Sequence, residues 1–130
     1  MSRQYNEKLL SNLPQVLNQL EDAKSYDTAL GVISGIAKGL AIKNISTSRL
    51  RNIYNHVHAL SSNEDGLKEL KRLRYLLAYT AARERNKFFR KVVEKIDKII
   101  VNIKEPEKIT LFQQFMEALI AYHRFYGGQE

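Results

Sequence analysis

The chain has three histidines and no cysteine with which to do acid–base or metal chemistry. His56 and His58 are two apart, and on a helix that turns them about 200° from each other, so they cannot share one ion. His123 falls inside an apolar stripe with Phe112, Phe115, Met116 and Leu119, where a hydrogen-bonded core imidazole is the expected role. Glu117 and Arg124 lie two turns apart on the other face and read as a surface ion pair. There is no nucleophile–base–orienter set, no glycine loop for phosphate and no carboxylate cluster for magnesium. The sequence therefore predicts no catalytic site, no cofactor and no metal.

The chemistry it does carry is anion recognition. Residues 68–91, KELKRLRYLLAYTAARERNKFFRK, hold nine basic side chains against Glu69 and Glu84. With 21 Lys and Arg and 14 Asp and Glu in all, the rest of the chain carries twelve of each sign, and the whole +7 excess sits in this stretch. A neutral body with one cationic segment has a directed field. Read as a helix, Lys68, Arg72, Tyr75, Tyr79 and Arg83 step by four, three, four and four and form one stripe. Leu67, Leu70, Leu73, Leu77 and Ala81 form the opposite, core-facing stripe. Cations interleaved with two tyrosines suit a phosphate backbone, with the rings placed to stack or hydrogen-bond.

Other residues extend or border this face. Lys71 and Arg85 are expected to support it. Arg74, about 50° from the centre of the apolar stripe, needs a carbonyl or carboxylate partner at the core edge. Arg51 shares a flank with Asn55 and His58. Past a shift of phase at Arg85-Asn86, Arg90 and Lys91 share a polar face with Glu94, Asp97 and Lys98 and are expected to be solvated.

These residues must be held by helices. Apolar residues recur at three and four throughout. Residues 1–24 form an N-terminal helical segment (Tyr5, Leu9, Leu13, Val16, Leu17, Leu20) kinked or broken at Pro14. A second helix covers about 26–40, and a third follows the N-cap cluster Ser46-Thr47-Ser48. Ser61-Ser62-Asn63 introduces the basic helix. Phe88 to Ile103 supplies a broad apolar arc. A last helix runs from near Pro106 to Gly127-Gly128. The expectation is an all-α, single-domain, compact bundle of five to six helices over residues 1–130. With no signal-like or membrane-spanning run and no cysteine, a cytoplasmic protein is expected.

Gly31, Gly35 and Gly39 recur every four residues on the second helix, opposite its apolar face by helical angle. There each glycine costs about 1 kcal/mol against alanine. A smooth ridge for close approach of a partner subunit explains them.

Three segments resemble one family, the small helical subunit of type III-A CRISPR–Cas effector complexes (the Csm complex). They are Ile45-Ser46-Thr47-Ser48-Arg49-Leu50-Arg51-Asn52-Ile53; Leu73-Arg74-Tyr75-Leu76-Leu77-Ala78-Tyr79 with Ala82-Arg83; and the most specific, Phe112-Gln113-Gln114-Phe115 through His123-Arg124-Phe125-Tyr126-Gly127-Gly128. They cover roughly residues 45–128. Tyr75 and Leu76 stand where the family tends to have proline and lysine, and Ala82 where it tends to have glycine. This moves the expected backbone contacts to Arg72, Arg74 and Arg83, while Arg51 carries over directly. The resemblance implies a non-catalytic, all-helical subunit. Several copies line a ribonucleoprotein filament beside the guide RNA–target RNA duplex, in contact with the backbone and large subunits and with one another. Two other readings remain at this point. One is a protein–protein module whose basic helix docks on an acidic partner, and the other is a small RNase using His123, Glu117 and Arg124.

Overall fold

Each helix of the bundle starts or stops on a residue whose chemistry accounts for it. The computed structural model describes residues 3–128, with side chains from Asn6 onward, so the side chain of Tyr5 lies outside the described residues. Helices α1 (Arg3–Asn12) and α2 (Val16–Leu20) are separated by a 3₁₀ turn, Leu13–Gln15. Pro14 lies in that turn, where its missing N–H cannot continue the helical ladder. Helix α3 (Tyr26–Ile42) ends at Asn44, whose left-handed φ of 68° sends the Asn44 and Ile45 N–H groups back to the carbonyls of Ala41 and Leu40.

Helix α4 (Thr47–His58) is capped by Ser46, whose hydroxyl accepts from the Arg49 N–H at 3.1 Å. Helix α5 (Glu64–Glu84) is capped by Asn63, accepting from the Gly66 N–H at 2.8 Å. Arg85, at φ 55°, ends α5, and Asn86 caps α6 (Lys87–Asn102) by accepting from the Phe89 N–H at 2.9 Å. Such caps are each worth about 1 kcal/mol. The phase shift expected at Arg85-Asn86 is therefore a helix boundary. A second 3₁₀ turn, Pro106–Lys108, leads into α7 (Ile109–Phe125). Counting α1 and α2 as one interrupted segment gives six, and there is no strand among the described residues. The all-α bundle expected from periodicity is what forms.

Helix α7 is the centre. It packs on α3 and α4, with Phe112, Phe115, Met116 and Leu119 excluded from solvent. Helix α6 packs on α5, burying Phe89, Val92, Ile96, Ile99 and Ile100 on one side and Leu70, Leu73, Leu77 and Ala81 on the other. At about 1.5–3 kcal/mol for each large apolar side chain, this burial fixes the direction in which α5 faces. Its remaining arc must point outward.

The glycine ridge requires a correction. Gly35 and Gly39 are buried within this chain. A Cβ at Gly35 meets the Leu9 methyls of α1 at 2.8 and 2.9 Å, and one at Gly39 meets the Phe88 ring of α6 at 2.7 Å. The close approach is intramolecular, so neither residue is a surface for a partner subunit. Gly31 alone is exposed, with nothing near its Cβ position. Gly35→Leu is accordingly expected to overpack the α1–α3 contact by about 1–3 kcal/mol, partly offset by about 1 kcal/mol of helix propensity. Thermal unfolding of the isolated chain should show a midpoint a few degrees lower. An unshifted midpoint together with failed assembly would return the ridge to a partner.

Candidate nucleic-acid interface

The outward arc of α5 forms a crest. Lys68, Arg72, Tyr75, Tyr79 and Arg83 all lie on it and all are exposed, the two tyrosines by 60 % and 63 %. From Lys68 to Arg83 the crest rises about 22 Å at ~1.5 Å per residue. That spans about half a dozen steps of a duplex strand at ~3.4 Å each. The tyrosines are not idle. The Nε of Arg72 donates to the Tyr75 hydroxyl at 2.7 Å, and its guanidinium lies 5.9 Å from that ring. Arg83 stands 5.7 Å from the centre of the Tyr79 ring. Each arginine thus has a ring holding it upright, which lowers the entropy lost when it meets an anion. Glu69 pairs with Arg72 at 3.5 Å. The Tyr75 bond first, and then the Glu69 charge, hold the Arg72 guanidinium above its ordinary pKa.

Two residues expected to support the crest are engaged elsewhere. The Lys71 ammonium donates to the Ile100 and Val101 carbonyls at 2.5 and 3.3 Å, covering the C-terminal end of α6. Burial, then the charges of Arg74 and Lys104, push its pKa down. Arg74 forms a two-pronged pair with Asp97, Nε to Oδ1 at 2.8 Å and Nη2 to Oδ2 at 3.2 Å. It thus has the carboxylate partner its position demanded. Both border an open groove of ≈ 810 Å³ between α5 and α6, floored by Ala78, Ala81 and Val93, whose other rim includes Arg90 and Glu94. Arg90 faces Glu94 at 3.8 Å. On this side of α5, Arg74 and Arg90 are held by carboxylates of α6 and Lys71 by its carbonyls.

On its other side α5 faces α4 across a seam. The helices run antiparallel, with Arg49 bridging to Glu84 at 3.0 Å at one end and His56 sharing a small hollow with Glu69 and Arg72 at the other. A hollow of ≈ 160 Å³ between them is bordered by Asn52, His56, Tyr79 and Thr80 over a floor that includes Ile53 and Leu76. Arg51 does not join it. Two residues from Arg49, it lies about 200° further round α4, on the flank turned away from α5. Arg85 is exposed beyond the end of the crest, on the left-handed residue that breaks α5. The structure thus brings together Lys68, Arg72, Tyr75, Tyr79 and Arg83, and it separates Arg51, Lys71, Arg74 and Arg85 from them.

Among protein families, the model described as Csm2 Type III-A matches residues 23–129, most of the chain. The chain belongs to that family. It is a small Csm subunit of the type III-A CRISPR complex, whose other subunits are its partners. No curated protein and no solved structure matches it. The Csm2 match begins before α3, so it reaches well upstream of the motifs that carried the resemblance.

The C-terminal Csm2 motif is architectural in this chain. Gln113 donates to the Val57 and Leu60 carbonyls, each at 3.1 Å, and so covers the end of α4. His123 is wholly buried, as expected, and its Nε2 reaches the Ile45 carbonyl at 2.7 Å. Gly127, at φ 89°, turns the chain so that the Gly128 N–H returns to the His123 carbonyl. Together these fix α4 against α7, and hence one wall of the seam. His58 stacks on Tyr54, while His56 faces the seam, so the two histidines do part company. Among the described residues no group of three or more His, Asp or Glu is placed to hold a metal ion, and no helix is long and apolar enough to cross a membrane. Beyond the reach of the sequence reading were Asn52 and His56 as seam residues, and an exposed apolar group near the end of α7. There Phe125 is 76 % exposed, and Tyr126 bonds Ser34 at 2.9 Å beneath Lys38.

Proposed function

We propose that this Csm2-family subunit is a non-catalytic, cytoplasmic component of antiviral defence that lies along the guide RNA–target RNA duplex and stabilises it by backbone contacts. Several copies stand beside the backbone and large subunits and beside one another. Arg72 and Arg83 are the principal phosphate partners, Lys68 supports them, and Arg51 adds a contact from the far flank of α4. The observation that carries this reading is the crest: a line of exposed cations about 22 Å long by the helical rise above, within the stretch 68–91 that holds the chain's whole +7 excess. An A-form duplex has a deep, narrow major groove that side chains cannot read, so recognition falls on backbone and shape, while base pairing reads the sequence. Binding is therefore sequence-tolerant and strongly salt-dependent.

Ultraviolet crosslinking of the assembled complex tests it. Adducts between target or guide RNA and Tyr75 or Tyr79 are the expected result. Intact assembly with no adduct at either ring would favour docking of the crest on an acidic protein partner.

A further inference from the structure

The crest explains phosphate binding but leaves the seam unexplained. Glu69 is an acid on a surface built for anions. Beside it run His56 and Asn52, directional groups that bring no fixed positive charge. Among the described residues, Asn52 and His56 have exposed side chains that make no hydrogen bond within the chain. A hollow of ≈ 160 Å³ is small beside the roughly 300–1,000 Å³ of a cofactor or drug-sized site. It has room for about five waters at ~30 Å³ each, or for one sugar-sized group. Its floor is apolar, through Ile53, Leu73 and Leu76, and its rims are polar.

A group matching that description has an apolar face, a hydroxyl that both donates and accepts, and a position beside a phosphate. A ribose satisfies all three. A carboxylate such as Glu69 repels phosphate but accepts from a hydroxyl, and Asn52 and His56 offer both donor and acceptor atoms. Tyr79 and Arg72 belong at once to the crest and to the walls of the seam hollows. A strand whose phosphates lie on the crest therefore presents its sugars to the seam. In an A-form duplex the wide, shallow minor groove displays the 2′-hydroxyls.

We infer that the α4–α5 seam, through His56 and Asn52 with Glu69, takes ribose 2′-hydroxyls of the strand held on the crest and so makes this subunit selective for RNA over DNA. The inference rests on the crest reading above. It implies that His56 and Asn52 contribute discrimination, whereas Arg72 and Arg83 contribute affinity.

The test uses the full chain assembled with its partner subunits and three duplexes of one sequence, whose target strand is RNA, 2′-fluoro RNA or DNA. The 2′-fluoro strand keeps the A-form shape and lacks the hydroxyl donor. The wild-type complex should bind the RNA strand several-fold more tightly than the 2′-fluoro strand. The double variant His56→Ala, Asn52→Ala should lose most of that ratio and keep the same slope of affinity against salt. Glu69→Gln, which keeps an acceptor and removes the charge, should preserve part of the ratio. Equal wild-type binding of RNA and 2′-fluoro strands overturns the inference, as does a ratio unchanged in the double variant. If an Arg72→Ala, Arg83→Ala complex binds RNA as wild type does, the crest reading fails and the inference falls with it. If that complex is weakened while the hydroxyl ratio is one, only the inference fails.

Discussion

Replacing Arg72 and Arg83 together by alanine is expected to weaken target-RNA retention on the order of tenfold per lost contact at moderate salt. It should also flatten the slope of log affinity against log salt by about two. The size follows from the contact type. A charge-assisted hydrogen bond is worth about 1.5–3 kcal/mol, and 1.4 kcal/mol is a factor of ten. The slope counts released counterions, about one per lost phosphate contact. Both side chains are exposed, held by their own tyrosines and, for Arg72, by an exposed pair with Glu69. An exposed pair of this kind adds little to stability, so the fold should be little affected and the loss should appear in binding.

A matched control sharpens the test. Arg90→Ala with Lys91→Ala removes the same two charges, but from α6, where Arg90 already faces Glu94. If net charge were all that mattered, the two double variants would behave alike. The crest reading requires the α5 variant to lose retention and slope and the α6 variant to keep both. Retention by the α5 variant equal to that of wild type would remove Arg72 and Arg83 from the interface.

The crest was legible in the sequence because two signals reinforce each other. Period 3.6 assigns Leu70, Leu73, Leu77 and Ala81 to the core, which leaves Lys68, Arg72 and Arg83 no direction but outward. What the sequence withheld is which helix stands beside which. Arg51 and Arg49 are equally basic and two residues apart, yet it is Arg49 that bridges to Glu84 of α5. That choice is made by α7, through Gln113 and His123, and not by α4 itself. Lys71 is drawn away from the crest for a related reason: its carbonyl partners, Ile100 and Val101, belong to α6, 29 and 30 residues away. Gly35 lies about 140° from the apolar centre of α3 on a helical wheel. A residue without a side chain carries no hydropathic mark of being buried, so the approach of Leu9 is invisible until α1 is in place.

The second large effect concerns the latch that holds α4. A backbone carbonyl can only accept, so the 2.7 Å contact makes His123 Nε2 the donor to Ile45. Its Nδ1 is left to accept from the Thr47 hydroxyl at 3.4 Å. The ring also closes on Gly128, where a Cβ would lie 2.1 Å from it. His123→Ala therefore strands a buried carbonyl, at about 1–3 kcal/mol, and opens a cavity beside it. A total of about 3–5 kcal/mol is expected, read as a drop of roughly 10 °C or more in the thermal midpoint.

Acid should reach the same latch. Burial pushes the His123 pKa below its ordinary 6.5, outweighing the upward pull of the Ile45 bond and helped by the Arg124 charge. Below pH 6.5 the unfolded chain binds a proton that the folded ring resists. Stability is therefore full above that value and falls as the pH drops below it. His123→Gln, which cannot titrate, should be less stable at neutral pH and lose less between pH 7 and 5. Parallel curves for the two proteins would show that the ring charges in place, and the lowered pKa would be refuted. Because Thr47 opens α4, a protein losing this latch should also lose seam-dependent discrimination before it loses the crest, which is fixed by α6.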